Sequence, residues 1–353
     1  MLKYIVKRLA QSVLILLGVS LIIYVLIRCM PVDFVTQKLS SITTTGAETS
    51  QELIDAMLKQ YGLDTNIFEG YIAWLGKLLK LDFGNSFKYG IPVIDVIKDH
   101  MGVSFAVAAI ATIFEFLIAI PLGVTAATHQ YSVRDYIVTV LVMIGISLPS
   151  FFFGQLLKNI FAIQLEWFPA SGLIDASKDL SGFALLMDQM WHLFIPILTV
   201  VILSIGGRMR MTRTNMLEVL NSDYIRTARA KGLKEKVVIY KHAFRNTMIP
   251  LVTSLAGLLP GLFSGAIITE QVFGLPGIGN VAFDAMLVAD IPFIMGYNMF
   301  LALLSVIGVL LADLMYAVVD PRVKLGSGGA IWKTKRKLFP ILKTRISRLR
   351  KRP

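Results

Sequence analysis

The stretch Asn221-Ser222-Asp223-Tyr224-Ile225-Arg226-Thr227-Ala228-Arg229-Ala230-Lys231-Gly232-Leu233 is polar and basic, with a glycine near its end. It lies in a segment, residues 208–245, that holds ten Lys/Arg and three acids (Glu218, Asp223 and Glu235) between long apolar runs. A chain that only has to cross a bilayer has no need of such a segment. One that must grip machinery beside the membrane does. Met211, Met216, Leu217, Leu220 and Tyr224 recur at helical spacing. Basic residues followed by Gly232 mark a helix end. A second short helix is expected over 234–244, with Val237, Val238, Tyr240 and Lys241 near one another. Two short helices joined at a glycine and tied to spans at both ends form a stiff lever. The same charges would also serve simply to set topology. The small residues Thr227, Ala228 and Ala230 favour close packing against a partner.

Composition supports the membrane reading. Of 353 residues, 55% are hydrophobic and 16% charged, against about 25% charged in soluble domains. Mean hydropathy is +0.68. Six runs are long and apolar enough to cross a hydrocarbon core about 30 Å thick: 9–27, 101–127, 136–157, 189–207, 246–269 and 291–319. Pro121, Pro149, Pro196, Pro250 and Pro260 fall inside them, which membranes tolerate where neighbours re-satisfy the freed backbone groups. The 159–165 run is short and precedes Trp167-Phe168-Pro169, so it reads as interfacial or re-entrant. The first run is too long for a signal-peptide core and reads as a retained helix.

Charge placement orients the spans. With six spans and the N-terminus inside, 26 of the 35 Lys/Arg fall on the cytoplasmic side, as the positive-inside rule requires. Both termini are then cytoplasmic. The chain divides into a first helix (1–30), an extracytoplasmic cap (31–100) with helical stretches such as 50–61, a transmembrane core (101–320, with the basic loop at 208–245) and a basic tail (321–353). Cys29 is the one cysteine, and His100, His129, His192 and His242 are scattered. No intrachain disulfide and no metal site are therefore expected. Between residues 333 and 352 lie ten Lys/Arg and no acid. Such a cluster just inside a membrane suits anionic lipid better than nucleic acid.

Five motifs carry a family resemblance. Residues Asp223 to Leu233 resemble the coupling loop of binding-protein-dependent ABC importer permeases. Asp82-Phe83-Gly84-Asn85-Ser86 with Pro92-Val93 resembles the outer-loop signature of that family, and Leu148-Pro149-Ser150-Phe151 its third span. Glu270-Gln271-Val272-Phe273-Gly274-Leu275-Pro276-Gly277-Ile278-Gly279 resembles the exit of the fifth span, and Asp320-Pro321-Arg322 the end of the last. General importers carry Glu-Ala-Ala where Arg226-Thr227-Ala228 stands here, which places the resemblance with first permeases of oligopeptide, dipeptide and nickel systems. Pro31-Val32-Asp33 replaces the Pro-Gly-Asp usual after the first span.

The resemblance implies an all-α membrane protein with the type I ABC importer permease fold, in a bacterial or archaeal cytoplasmic membrane. It implies four kinds of partner: a second homologous permease, two ATPase subunits, an extracytoplasmic binding protein and membrane lipid, anionic at the tail. Asp223, Tyr224, Arg226, Thr227, Ala228, Arg229, Ala230, Lys231, Gly232, Leu233 and Lys241 are the residues it assigns to ATPase coupling. The chain carries no catalytic residues and binds no cofactor under this reading. Gly326 to Thr334 lacks the glycine before lysine that a phosphate-binding loop needs, so ATP and Mg belong to the partner ATPases. Peptides are the expected cargo, with a nickel or other-solute ABC permease as one alternative and an ion-gradient-driven secondary transporter as the alternative from another class.

Ionisable groups within spans are functional candidates. Glu115, between Phe114 and Phe116, suits either a substrate amine or a structural hydrogen bond. Glu270, beside the Gly-Leu-Pro-Gly turn, suits gating, docking or the capping of backbone donors. Asp313 suits helix packing or an ion pair.

Overall fold

The computed structural model describes residues 2–29, 66–254 and 257–319. The 50–61 stretch of the expected cap, the motif at 320–322 and the basic tail lie outside them. Within the described residues the fold is helical, and an antiparallel bridge between Asn85 and Pro92 closes one outer turn.

Helix α1 is Leu2–Arg28, α2 is Ile67–Leu78, α3 is Val93–Thr128 and α4 is Val133–Ser147. Ser150–Leu157 forms α5, continued by the π-helical Lys158–Gln164. Gly182–Leu220 forms α6 and Asp223–Ala230 forms α7. A single turn at Glu235–Val237 and a π-helical stretch, Val238–Phe244, lead into α8, Arg245–Ser254. Leu258–Phe263 (α9), Ile267–Phe273 (α10), Ile278–Leu287 (α11) and Ile291–Val319 (α12) complete the described chain.

Four helices are long and apolar enough to span a bilayer, and two bent pairs raise the number to six. The expected third span is one of those pairs: Val133–Ser147 and Ser150–Gln164 meet at 101°. Leu148 precedes Pro149 and is held extended (φ −89°, ψ 136°), because the proline ring excludes the residue before it from the helical region. The 159–165 run is therefore the second limb of a broken helix. The expected fifth span is also segmented, into α8, α9 and α10. The segment Leu258–Phe273 then turns by 79° into Ile278–Leu287, with Gly274 in the left-handed conformation at φ +61°. Helix α11 was not anticipated. The short second helix expected at 234–244 is no separate element, since its π turn runs straight into α8.

The core is built on α3 and α6, the most extensively packed pair. Their approach depends on Gly123, where an added Cβ would lie 2.7 Å from the Thr212 side chain and 2.8 Å from the Met209 carbonyl oxygen. At about 1.5 Å per residue, the 39 residues of α6 reach about 58 Å, so its last turns project past the bilayer. Large apolar side chains of α1 (Leu14, Ile22) and α4 (Ile137, Val140, Leu141, Ile144) are exposed. Such exposed apolar surface matches the membrane setting of a chain whose backbone polar groups are satisfied within helices.

An outer cluster joins Tyr24, Trp74, Phe83, Val93, Ile97, Ile278 and Phe293. Buried Asp290 pins it. Its carboxylate accepts the Ser86 hydroxyl and the backbone N–H groups of Phe87 (3.0 Å), Lys88 (3.1 Å) and Phe293 (3.2 Å). The outer-loop signature at 82–86 is thus half of a clamp closed by the start of α12. Replacing Asp290 with Ala strands these donors, each costing about 1–3 kcal/mol if left buried without a partner. The Asp290→Ala protein should melt several degrees lower in detergent, and limited proteolysis should cut within 82–92 faster than in wild type.

Candidate functional site

Along α3 the buried positions Ser104, Val107, Ala111, Glu115 and Ala119 recur every three or four residues, which puts them on one face. Along α6, Val200, Ser204, Arg208 and Thr212 repeat every four residues. The two stripes face each other and, with the α8–α10 segment, enclose a partly open cavity of about 480 Å³. Thr112, Glu115, Ser204, Arg208 and Ser254 supply its polar lining, and Gly257, Gly261 and Gly265 keep the opposite wall low.

Glu115 and Arg208 meet in this cavity. Arg208 Nε donates to Glu115 Oε1 at 2.9 Å, and Nη1 donates to Ser254 Oγ at 2.7 Å. The guanidinium carbon lies 4.5 Å from the centroid of the Phe116 ring, a cation–π contact. Arg208 was expected at the start of the cytoplasmic loop. It belongs instead to the walls of the cavity, because α6 continues without interruption and carries that residue back toward α3. Further along α6, Arg213 grips the carboxylate of Asp135 through Nε at 3.0 Å and Nη2 at 2.8 Å. Asp313 pairs with Arg8 at 2.6 Å, joining α12 to α1.

Glu270 does not line the cavity. It is fully buried. Its Oε1 accepts the Ser104 hydroxyl at 2.6 Å and Ala266 N–H at 3.0 Å. Its Oε2 accepts Asn280 N–H at 2.8 Å, and Ile278 N–H donates to Ser104 Oγ at 2.9 Å. One carboxylate therefore caps the first turns of α10 and α11 and ties both to α3. Glycines make room for it. A Cβ at Gly277 would sit 2.4 Å from Glu270 Cδ and 2.6 Å from Ser104 Oγ.

The second candidate region is α7. Ile225 and Ala228 are buried against Val124, Ala127, Met216, Val238 and Ala243. Ala228 thus packs inward on its own chain, while Asp223, Tyr224, Arg226, Thr227, Arg229 and Ala230 are exposed. Lys231, Gly232, Leu233 and Lys241 are exposed as well. Gly232 has φ +74° and open space around it, so its glycine is required by backbone conformation and not by crowding. Arg229 bridges the turn to Glu235 at 2.8 Å. That hydrogen bond holds the Glu235 carboxyl below its ordinary range and raises Arg229. The bridge is therefore complete at neutral pH and is lost only as pH falls through the lowered carboxylate value.

Ser104 and Asp290 were missed as site-building residues. Their signal lay in the glycine-rich 274–279 turn and in an isolated acid ahead of an apolar run, neither of which names its partner. Among the described residues no cluster of three or more metal-ligating side chains occurs.

The family model for the binding-protein-dependent transport system inner membrane component matches residues 119–325, and the model for the N-terminal part of that membrane component matches residues 1–108. The chain is 35% identical over 322 residues to the oligopeptide transport system permease protein AppB of Bacillus subtilis (strain 168), covering 91% of this chain and 99% of that one. It is 32% identical over 341 residues to the dipeptide transport system permease protein DppB of Escherichia coli (strain K12), covering 92% and 99%. Among solved structures, an inward-facing conformation of the MetNI methionine ABC transporter aligns with a TM-score of 0.49 at 16% identity, over 64% of this chain and 97% of that one.

The Glu270 cradle predicts a sharp contrast between two glycines. Gly277→Ala forces a methyl into the carboxylate and should cost roughly 1–3 kcal/mol, read as a lower melting temperature of the detergent-solubilised protein. Gly102→Ala, with no atom within 4 Å of the new Cβ, should leave the melting temperature unchanged or raise it.

Proposed function

Because the chain belongs to the family of binding-protein-dependent transport system inner membrane components, we propose that it carries peptides, as half of a pathway completed by a second, homologous permease. It is a multi-pass membrane permease subunit of an ABC importer, with the permease fold of that class. The names of its relatives, an oligopeptide and a dipeptide permease, support the substrate class. An extracytoplasmic binding protein delivers the peptide. Two partner ATPases hold ATP and Mg and do the hydrolysis, while this chain holds no cofactor. Both termini face the cytoplasm, and the tail beyond residue 320 engages anionic lipid.

The observation that carries the coupling reading is the two-sidedness of α7. Its inner face, Ile225 and Ala228, is seated on the ends of α3 and α6. Its outer face presents Tyr224, Arg226 and Arg229 to the exterior of the chain. A partner ATPase that grips the outer face moves the inner face with it, and the motion enters α6, which runs unbroken from α7 to the cavity. Closing the ATPase dimer on ATP would draw the α7 helices of the two permeases together and tilt the spans toward an outward-open state, a two-state rearrangement of packed helices. Glu115 then belongs to the substrate path. Glu270 holds the frame of the gate on the outer side.

Deleting residues 228–232, or making Gly232→Arg, should abolish peptide uptake in vesicles while immunoblots of membrane fractions show normal amounts of the permease. Arginine at φ +74° costs about 1–2 kcal/mol locally, too little to remove the protein from the membrane. Uptake at the wild-type rate in either variant would sink the coupling assignment.

A further inference from the structure

We propose that Glu115 and Arg208 form a split charge site for a zwitterion, in which Glu115 receives the ammonium of a transported peptide and Arg208 its carboxylate. The inference rests on the peptide reading above and assigns two side chains to the two ends of the cargo.

Comparison with Arg213–Asp135 is the first argument. In that pair the carboxylate is fully engaged: two arginine nitrogens bond its two oxygens, and Tyr131 N–H and Thr139 Oγ1 donate to them as well. It lines no part of the cavity. The Glu115–Arg208 pair is joined by one hydrogen bond, from Nε to Oε1. Among the described residues Glu115 Oε2 and Arg208 Nη2 have no hydrogen-bond partner, yet both side chains line the cavity. Arg8–Asp313 is also singly bonded but does not line this cavity, so among these three pairs the combination is particular to Glu115–Arg208.

Charge balance is the second. A carboxylate or guanidinium alone in a low-dielectric cavity is costly, and each is affordable only beside the other. An incoming ligand with a single charge would take one partner and strand the second. A zwitterion satisfies both at once, so the exchange leaves no unpaired charge. The site is thus neutral when empty and neutral when filled. Stacking on Phe116 and the bond to Ser254 hold the guanidinium on its wall when Glu115 leaves it.

The test uses the complete importer in proteoliposomes at saturating binding protein. Uptake is measured for trialanine, N-acetyl-trialanine and trialanine amide. Ratios between peptides within one preparation do not depend on how much complex is folded. In Glu115→Gln the preference for trialanine over the N-acetyl form should fall about tenfold, the scale of one hydrogen bond to a charged group, with the preference over the amide kept. Arg208→Gln should do the reverse. If either single variant fails to assemble, Glu115→Ala with Arg208→Ala, which strands no charge, should lose both preferences. Wild-type ratios in these variants, or ratios that fall together whichever end is blocked, would overturn the site while leaving peptide transport intact. If wild type carries none of the three peptides, the peptide reading itself fails and the site with it.

Discussion

The close contact between α3 and α6 is the constraint on which the other elements depend. Gly123 against Thr212 and the Met209 carbonyl lets the two backbones approach to a distance that any side chain on that glycine would prevent. Several other helices dock on that pair. Helix α4 lies along α6, where Gly206 accepts the Ile146 side chain. Helices α9 and α12 lie along α3, and the end of the pair at Ala127 and Met216 receives α7. In a membrane, where apolar surface gains little from burial among lipid tails, association rests on such close packing and on polar bonds between helices.

Polar groups supply the second layer. Three arginine–carboxylate pairs join helices far apart in sequence: Arg8 with Asp313, Arg208 with Glu115 and Arg213 with Asp135. Lone charges would be expensive at these depths, so each pair selects one rotation of its helices among many that would bury similar apolar area. Glu270 and Asp290 do the same for backbone donors. Each sits where helices begin and would otherwise leave N–H groups unsatisfied. The broken spans of this chain are tolerable because buried carboxylates close the gaps.

These features bear on transport together. The unbroken α6 links the end of the bundle that carries α7 to Ser204 and Arg208 in the cavity, and the broken limbs lie around Pro149 and Gly274. The transport cycle proposed above calls for a stiff element for transmission next to jointed elements for opening. The partition follows from where proline and glycine fall. Pro149 follows an extended residue, whereas Pro196 is absorbed inside α6.

The sequence by itself determined the helical membrane setting, the helix end at Gly232 and the turn at Gly274, because each rests on local hydropathy, spacing or backbone chemistry. It also marked Glu115, Glu270 and Asp313 as charges needing partners. Only the tertiary structure decided what those partners are. Arg208 read as the edge of a loop until α6 carried it back to Glu115. Ala228 read as a contact for another protein until Ile225, three residues away, turned that face inward. The break at Leu148, the clamp at Asp290 and the helix α11 were equally hidden. Periodicity reports which residues share a face, but which faces meet is settled by helix crossings between positions up to 305 residues apart.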